Sequence, residues 1–370
     1  MILTDQTTPD FLDRLDRAWQ PGTESFALLP AQFDLGPDWV ARALDHLPAE
    51  LRRDHVLLTT SGSTGAPQLL VASRARAEAM ADAIAQRQDV TRSHTAIVTL
   101  PLSYCFSFVN QWVLARRLGI KVVLAGFSDP VDLARVWSDT DRGMLCLVAA
   151  QVPLLAAMGQ AQFPKIETVA FAGSPFPWGQ AAVLAQRFPE ARFFDNYGCA
   201  EAMPRLTVRE VTAEVFAGEV PRPGRLGPPL PGITLGTSKD AELMFQSPYA
   251  ALGAATPDGY EAFSTDAWIG TGDSASCDAA GQWWLGGRLA EVFKRHGEKV
   301  SLLRLRATIE GVWTNPFALR PARDRSGEPG VQLLLAGEAD RAQARQVLQR
   351  IRAAHPRAHW PLQILRVERL

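Results

Sequence analysis

From His55 to Phe194 the chain alternates short apolar runs with amphipathic stretches, and this order restricts the fold more than any other feature. The apolar runs are Val56–Leu58, Ile97–Leu100, Val122–Ala125, Leu145–Ala149 and Val169–Ala172. Between several of them lie helix-like segments, Ala75–Arg87, Val131–Ser138 and Pro177–Arg187. Short apolar runs suit strands covered on both faces, and longer amphipathic segments suit the helices that cover them. The βαβα order therefore predicts an α/β fold: a large N-terminal core on a mainly parallel sheet, with ligands expected at the carboxyl ends of the strands.

The pattern changes at Pro221, where Pro221, Pro223, Gly224, Gly227, Pro228, Pro229, Pro231 and Gly232 crowd together ahead of β-like runs at Glu242–Phe245 and Gln282–Leu285. This predicts a β-rich subdomain over about 220–287, attached to a core of residues 1–288. A small α+β domain is expected over 289–370, with helices at Ser301–Glu310 and Glu338–Ala354 and strands at Val331–Ala336 and Leu362–Val367.

Composition narrows the function. A net charge of -1 provides no field for nucleic acid or an anionic membrane. Cys105, Cys146, Cys199 and Cys277 show no CxxC spacing and read as reduced thiols in a cytoplasmic protein. The histidines do not fall in metal-ligand spacing; His355 and His359 are separated by Pro356, which breaks the helix that would align them. No stretch has the length of a membrane span, and Met1–Leu12 lacks the apolar centre of a signal peptide.

Thr59-Thr60-Ser61-Gly62-Ser63-Thr64-Gly65 follows the apolar run Val56–Leu58. Its glycines allow close backbone approach, and its hydroxyls and N–H groups suit phosphate oxygens; by composition alone it also fits a plain surface turn. Further segments follow in order: Leu100-Pro101-Leu102-Ser103-Tyr104, Phe171-Ala172-Gly173-Ser174-Pro175 and Asn196-Tyr197-Gly198-Cys199-Ala200-Glu201. After them come Gly224–Gly232, Ser264-Thr265-Asp266, Thr271-Gly272-Asp273 and Gly287–Val300. Together, over about residues 55–370, these resemble the successive signatures of the adenylate-forming superfamily of acyl-CoA synthetases, peptide-synthetase adenylation domains and luciferase.

The resemblance implies an ATP-dependent ligase that forms an acyl-adenylate from a small carboxylic acid and transfers the acyl group to CoA or a carrier-protein phosphopantetheine. Thr60, Ser61, Gly62, Ser63, Thr64 and Gly65 would hold the β- and γ-phosphates, and Glu201 would bind Mg²⁺, a hard cation that prefers oxygen ligands. Gly173, Ser174, Asn196, Tyr197 and Gly198 would surround the adenine, while Asp273 and Arg288 would bind the ribose. Tyr104, together with Trp178 or the segment Met203-Pro204, is a candidate wall of the acyl pocket. The C-terminal domain is expected to rotate about a hinge at Ala290, with Lys294, Gly297 and Lys299 serving the thiol step.

Several positions depart from the family pattern. Gln68 replaces the loop's closing Lys, Ala200 replaces a Thr expected to contact the α-phosphate, and Ala290 replaces a polar hinge residue. No lysine follows Lys299, although the family places a late catalytic Lys near this end; about 50 residues precede the loop, which suggests a reduced N-terminal subdomain. A missing cation of this kind costs on the order of 10²- to 10³-fold in rate. Arg205, an arginine of the C-terminal domain or a partner chain would then have to supply charge. A homologue that binds nucleotide without turnover, or one that ligates to a non-thiol acceptor, is the alternative reading. The identity of the acid and the choice between CoA and a carrier protein depend on packing that this one-dimensional pattern does not encode.

Overall fold

The structure, a computed structural model, describes all residues except 6–8, 32–35, 61–66, 265–266, 290–291, 297, 314, 338–340 and 368–370. The chain divides into two compact units: Met1–Glu219 with Leu226–Gly236 and Met244–Thr271, and Val220–Arg225 with Thr237–Leu243 and Gly272–Leu370.

The first unit begins with β1 (Ile2–Thr4), α1 (Pro9–Ala18), β2 (Phe26–Leu29), α2 (Gly36–Asp45), β3 (His55–Thr60), β4 (Gln68–Ser73) and α3 (Arg74–Gln88). β5 (Thr95–Val98) leads into α4 (Cys105–Ser107), which runs through a π-type segment, Phe108–Val113, into α5 (Leu114–Leu118). Then follow β6 (Lys121–Leu124), α6 (Pro130–Asp139), β7 (Gly143–Leu147), β8 (Ile166–Phe171), α7 (Ala181–Arg187), β9 (Arg192–Tyr197), β10 (Thr207–Glu210) and α8 (Thr212–Ala217). α6 starts where Asp129 caps it, its carboxylate accepting from the N–H groups of Val131 and Asp132 with Pro130 in the first turn.

The predicted parallel sheet is present, in the order β10-β9-β8-β7-β5-β6. β9, β8, β7, β5 and β6 pair in parallel, and β10 adds antiparallel to β9 at the edge. Both faces are covered, so successive residues enter different cores. Ala96, Val98, Met144, Cys146, Ala170 and Phe194 pack with Met80 and Ile84 of α3 and with Phe108 and Trp112 of the π-type segment. Ile97, Leu145, Leu147, Val169, Phe171 and Phe193 pack with Leu133 and Trp137 of α6 and Leu184 of α7.

The strict βαβα expectation fails at its first step. β3 turns back as an antiparallel hairpin into β4, with register His55↔Ser73 through Thr60↔Gln68. The run Leu69–Ala72 abuts α3 directly, so its strand signal merges with the helix that follows. This hairpin belongs to a second sheet, β1-β2-β3-β4 extended by β13 (Gly253–Thr256) and β14 (Gly259–Ala262), which come after β11 (Thr234–Thr237) and β12 (Glu242–Gln246).

Part of the Pro/Gly-rich stretch belongs to the first unit, where it covers the β10 edge. Val208 N–H donates to Pro228 O at 3.3 Å, Leu230 N–H donates to Leu206 O at 3.0 Å, and Thr207 bridges to Pro229. Gly227 is required there, because a Cβ would lie 2.3 Å from Val208 O.

The second unit carries the Gly272–Cys277 part of β15 (Ile269–Cys277), β16 (Trp283–Arg288), the hairpin β17 (Val292–Arg295) and β18 (Glu298–Ser301), and α9 (Leu302–Glu310). β19 (Phe317–Arg323), β20 (Pro329–Ala336), α10 (Arg341–Ala354) and β21 (Gln363–Val367) complete it. β19, β20 and β21 form one sheet around a core of Leu305, Ile309, Leu333, Leu335, Val347 and Ile351. β19 and the paired strands β17 and β18 have no counterpart among the predicted helices and strands; α9, β20, α10 and β21 match theirs, with residues 338–340 of the predicted second helix outside the described residues.

Arg209 and Asp195 face each other across β10 and β9 and form an ion pair at 3.2 Å, with the Arg209 guanidinium 5.5 Å from the Trp178 ring. Burial pushes the Asp195 carboxyl up from its ordinary value, and Arg209 partly offsets that. Arg209→Met strands a buried carboxylate and should lower stability by about 3–5 kcal/mol. Adding Asp195→Asn should recover most of the loss; additive penalties in urea denaturation would refute this coupling.

Candidate active site

The parallel sheet brings three of the signature segments to one edge, because each follows the carboxyl end of a strand. The segment ending at Tyr104 follows β5, Gly173 and Ser174 follow β8, and Gly198 to Glu201 follow β9. β9, β8, β7 and β5 are successive neighbours, so these loops share the crevice side of the sheet.

The loop after β5 is pinned from both sides. Ser103 N–H donates to Asp5 Oδ2 at 2.7 Å, and the Ser107 hydroxyl donates to Pro101 O. Burial pushes the Asp5 carboxyl up, while hydrogen bonds from Ser103 act in the opposite direction. Tyr104 ends this loop with 53% of its surface exposed. After β8, Gly173 takes a left-handed conformation with φ +77°, and Ser174 Oγ accepts from Ala149 N–H at 3.4 Å.

The loop after β9 is tighter. Leu206 N–H donates to Tyr197 O at 2.9 Å and closes it, while Ala251 N–H donates to Glu201 O at 2.9 Å and ties it to a neighbouring segment. At Gly198 a Cβ would lie 1.9 Å from Pro204 O and 2.9 Å from Arg205 Cα, so the two backbones touch where only glycine fits. Glu201 lies in a short 3-10 turn, Ala200–Ala202, and is half-buried. Tyr197 is half-buried at the end of β9.

Two of the expected residues point into the protein. Asn196, on β9 beside Tyr197, is buried, and its Oδ1 accepts from Gln88 Nε2 of α3 at 3.4 Å. Met203 is fully buried, its sulfur 3.7 Å from Cys105 Sγ. Trp178 packs against the second core and under Arg209. Thr60 closes the β3–β4 ladder opposite Gln68; Ser61, Gly62, Ser63, Thr64 and Gly65 lie outside the described residues.

Arg205, considered above only as a spare cation, is 1% exposed. Its guanidinium lies 5.1 Å from the Phe106 ring, and burial pulls its pKa down to about 10, so it stays charged at neutral pH. No sequence signal distinguishes it from the many exposed arginines. Its burial follows from its position at the entry to the edge strand β10, beneath the loop carrying Glu201.

In the second unit Asp273 and Arg288 are directly opposed across β15 and β16 and pair at 3.2 Å, with the Asp273 side chain nearly buried and that of Arg288 exposed. Gly272, at φ +72°, donates its N–H to Glu242 Oε1 at 2.9 Å. In the β17–β18 hairpin Lys294 is paired in register with Lys299. His296 takes φ +49° at the turn, and Gly297 and the hinge position Ala290 lie outside the described residues.

A family model described as AMP-binding enzyme matches residues 12–242, more than half of the chain. The chain belongs to the AMP-binding enzyme family. That membership agrees with the adenylate-forming signatures read from the sequence. Over 173 residues the chain is 30% identical to a D-alanine–D-alanyl carrier protein ligase of Staphylococcus aureus (strain Newman), covering 45% of this chain and 34% of that relative. The match thus spans about a third of the length of that relative.

Among solved structures, o-succinylbenzoate CoA synthetase from Bacillus subtilis, in complex with its acyl-adenylate intermediate, superposes with a TM-score of 0.78 at 15% identity, covering 100% of this chain and 84% of that one. An anthranilate CoA ligase in complex with anthranoyl-AMP gives a TM-score of 0.71 at 17% identity, with 100% and 74% covered. At such identities these similarities establish the AMP-binding fold. Among the described residues no helix is long and apolar enough to cross a membrane, and no cluster of three or more His, Cys, Asp or Glu residues could hold a metal.

The two loop glycines should respond differently to alanine. Gly173→Ala meets nothing closer than Val148 Cγ1 at 3.9 Å, so only the left-handed backbone penalises it, by about 1–2 kcal/mol. Gly198→Ala collides with the Pro204 carbonyl and should disrupt the loop, lowering the melting temperature by clearly more than Gly173→Ala does.

Proposed function

We propose that this member of the AMP-binding family activates a small carboxylic acid with ATP and passes the acyl group to the thiol of CoA or of carrier-protein phosphopantetheine. The observation that carries this reading is the convergence of the Tyr104, Ser174 and Tyr197–Glu201 segments at the carboxyl ends of adjacent parallel strands. The named functions of the D-alanyl carrier protein ligase and the two CoA ligases agree with it.

The residues present fit ATP and Mg²⁺. Gly173 leaves open backbone after β8, and Glu201 offers a hard carboxylate oxygen on the loop that follows Tyr197. Bound Mg²⁺ would neutralise phosphate charge. We assign Thr60 and residues 61–65 to the phosphates, Glu201 to the metal, Gly173, Ser174, Asn196, Tyr197 and Gly198 to the adenine, and Asp273 and Arg288 to the ribose hydroxyls. Asn196 would act on the base through the backbone, since its side chain is buried with Oδ1 on Gln88 Nε2. Tyr104 and Met203 are assigned to the acyl pocket, with Met203 as a buried support, and Lys294, Gly297 and Lys299 to the thiol step. In the first half-reaction a carboxylate oxygen attacks the α-phosphorus and pyrophosphate leaves. In the second, the thiol sulfur attacks the acyl carbon and AMP leaves.

Acid-dependent exchange of pyrophosphate into ATP tests the proposal, and at least one small acid should support it. Glu201→Gln should lower kcat/KM by about 10²- to 10³-fold. Asp273→Ala should weaken nucleotide binding by about tenfold to a hundredfold. Nucleotide binding without exchange across a broad acid panel would replace this reading with that of a non-catalytic nucleotide-binding homologue.

A further inference from the structure

Arg205 presents an arrangement that the activation chemistry above does not use. Its Nε and Nη2 atoms are buried with no hydrogen-bond partner. These atoms form the edge of the guanidinium that grips a carboxylate with two parallel bonds. Elsewhere this chain uses that same edge repeatedly: Arg117 holds Asp82 through it at 3.2 and 2.7 Å, and Arg192 holds Glu210 at 3.1 and 2.7 Å.

The surroundings of Arg205 supply no such anion. Asp195 is engaged by Arg209 at 3.2 Å. Burial keeps the nearby thiols of Cys105 and Cys146 far above their ordinary range, so both are neutral. Phe106 covers one face of the guanidinium. Other polar atoms in this region are also unsatisfied. The buried Asn110 amide has only the neutral Cys146 thiol against it, and Thr207 Oγ1, two residues along the chain from Arg205, is buried without a partner. Asn110 lies in the π-type segment, a backbone irregularity found frequently at functional sites. A buried charge without a hydrogen-bonded counter-ion lowers stability, as do orphaned amide and hydroxyl groups, and one bound oxyanion would relieve several of these costs together.

We infer that Arg205 is a specificity-determining residue: the acid taken by this chain carries a second carboxylate, which docks on Nε and Nη2 of Arg205 with Asn110 and Thr207 completing its hydrogen bonds. This rests on the acid-activating reading above. The acid enters past the exposed Tyr104.

Pyrophosphate exchange with matched acids tests the inference: succinate, glutarate and adipate against butyrate, pentanoate and hexanoate, and the carboxybenzoates against the toluates. At least one dicarboxylate should exceed its monoacid partner by about 10²-fold or more in kcat/KM. Arg205→Met should erase that preference, chiefly through KM for the acid, while KM for ATP stays unchanged. Arg205→Lys, which keeps the charge but not the fork, should fall in between. The melting temperature of Arg205→Met should be equal to or above that of the unaltered protein, since an apolar side chain replaces an unpaired buried charge. A preference for monoacids, or an Arg205→Met variant that loses all acids equally and melts earlier, would overturn the inference and leave Arg205 a structural residue. If no acid supports exchange, the activating reading fails separately. Thermal shifts then decide: stabilisation of the unaltered protein, but not of Arg205→Met, by a dicarboxylate retains the assignment, and its absence rejects it.

Discussion

Burial of the parallel sheet on both faces is the constraint on which the first unit depends. Each of β5, β7, β8 and β9 sends alternate residues into two different cores, so a slip of one residue would exchange the complete contents of both. The fixed register also fixes where each strand ends, and the chemistry hangs from those ends. Tyr104, Ser174 and Tyr197 are far apart in sequence but are brought to one edge because their strands are neighbours that point the same way.

Much of this arrangement was legible in the sequence. The apolar runs at residues 97, 145 and 169 were readable as strands because a short run with no polar face suits burial on two sides, and the run at 122 forms the half-buried edge strand β6. The helices of the small α+β region were readable for the opposite reason, a polar face repeated at helical spacing. The hairpin partner β4 was not, since only Ser73 stands between its apolar run and α3.

The candidate site was legible where a residue's role depends on its own chemistry, and illegible where it depends on what packs around it. A glycine at position 198 announces a close approach, but not that the Pro204 carbonyl makes it. Asn196 and Tyr197 are adjacent in sequence, yet strand alternation sends the Asn196 amide toward α3. Arginine is the commonest basic residue in this chain, and composition cannot separate an exposed one from Arg205, whose burial depends on contacts from elements roughly 100 residues apart.

The Pro/Gly-rich segment that covers β10 has a further effect on how the molecule behaves among its own copies. A parallel sheet ending in an antiparallel strand would ordinarily leave a row of unpaired amides along its outer side, a template for another chain. Here Pro228, Pro229 and Pro231 occupy that flank, and proline has no amide hydrogen to offer. The ladder therefore stops at a residue type that cannot extend it, and sheet-to-sheet association along this margin is blocked by covalent structure.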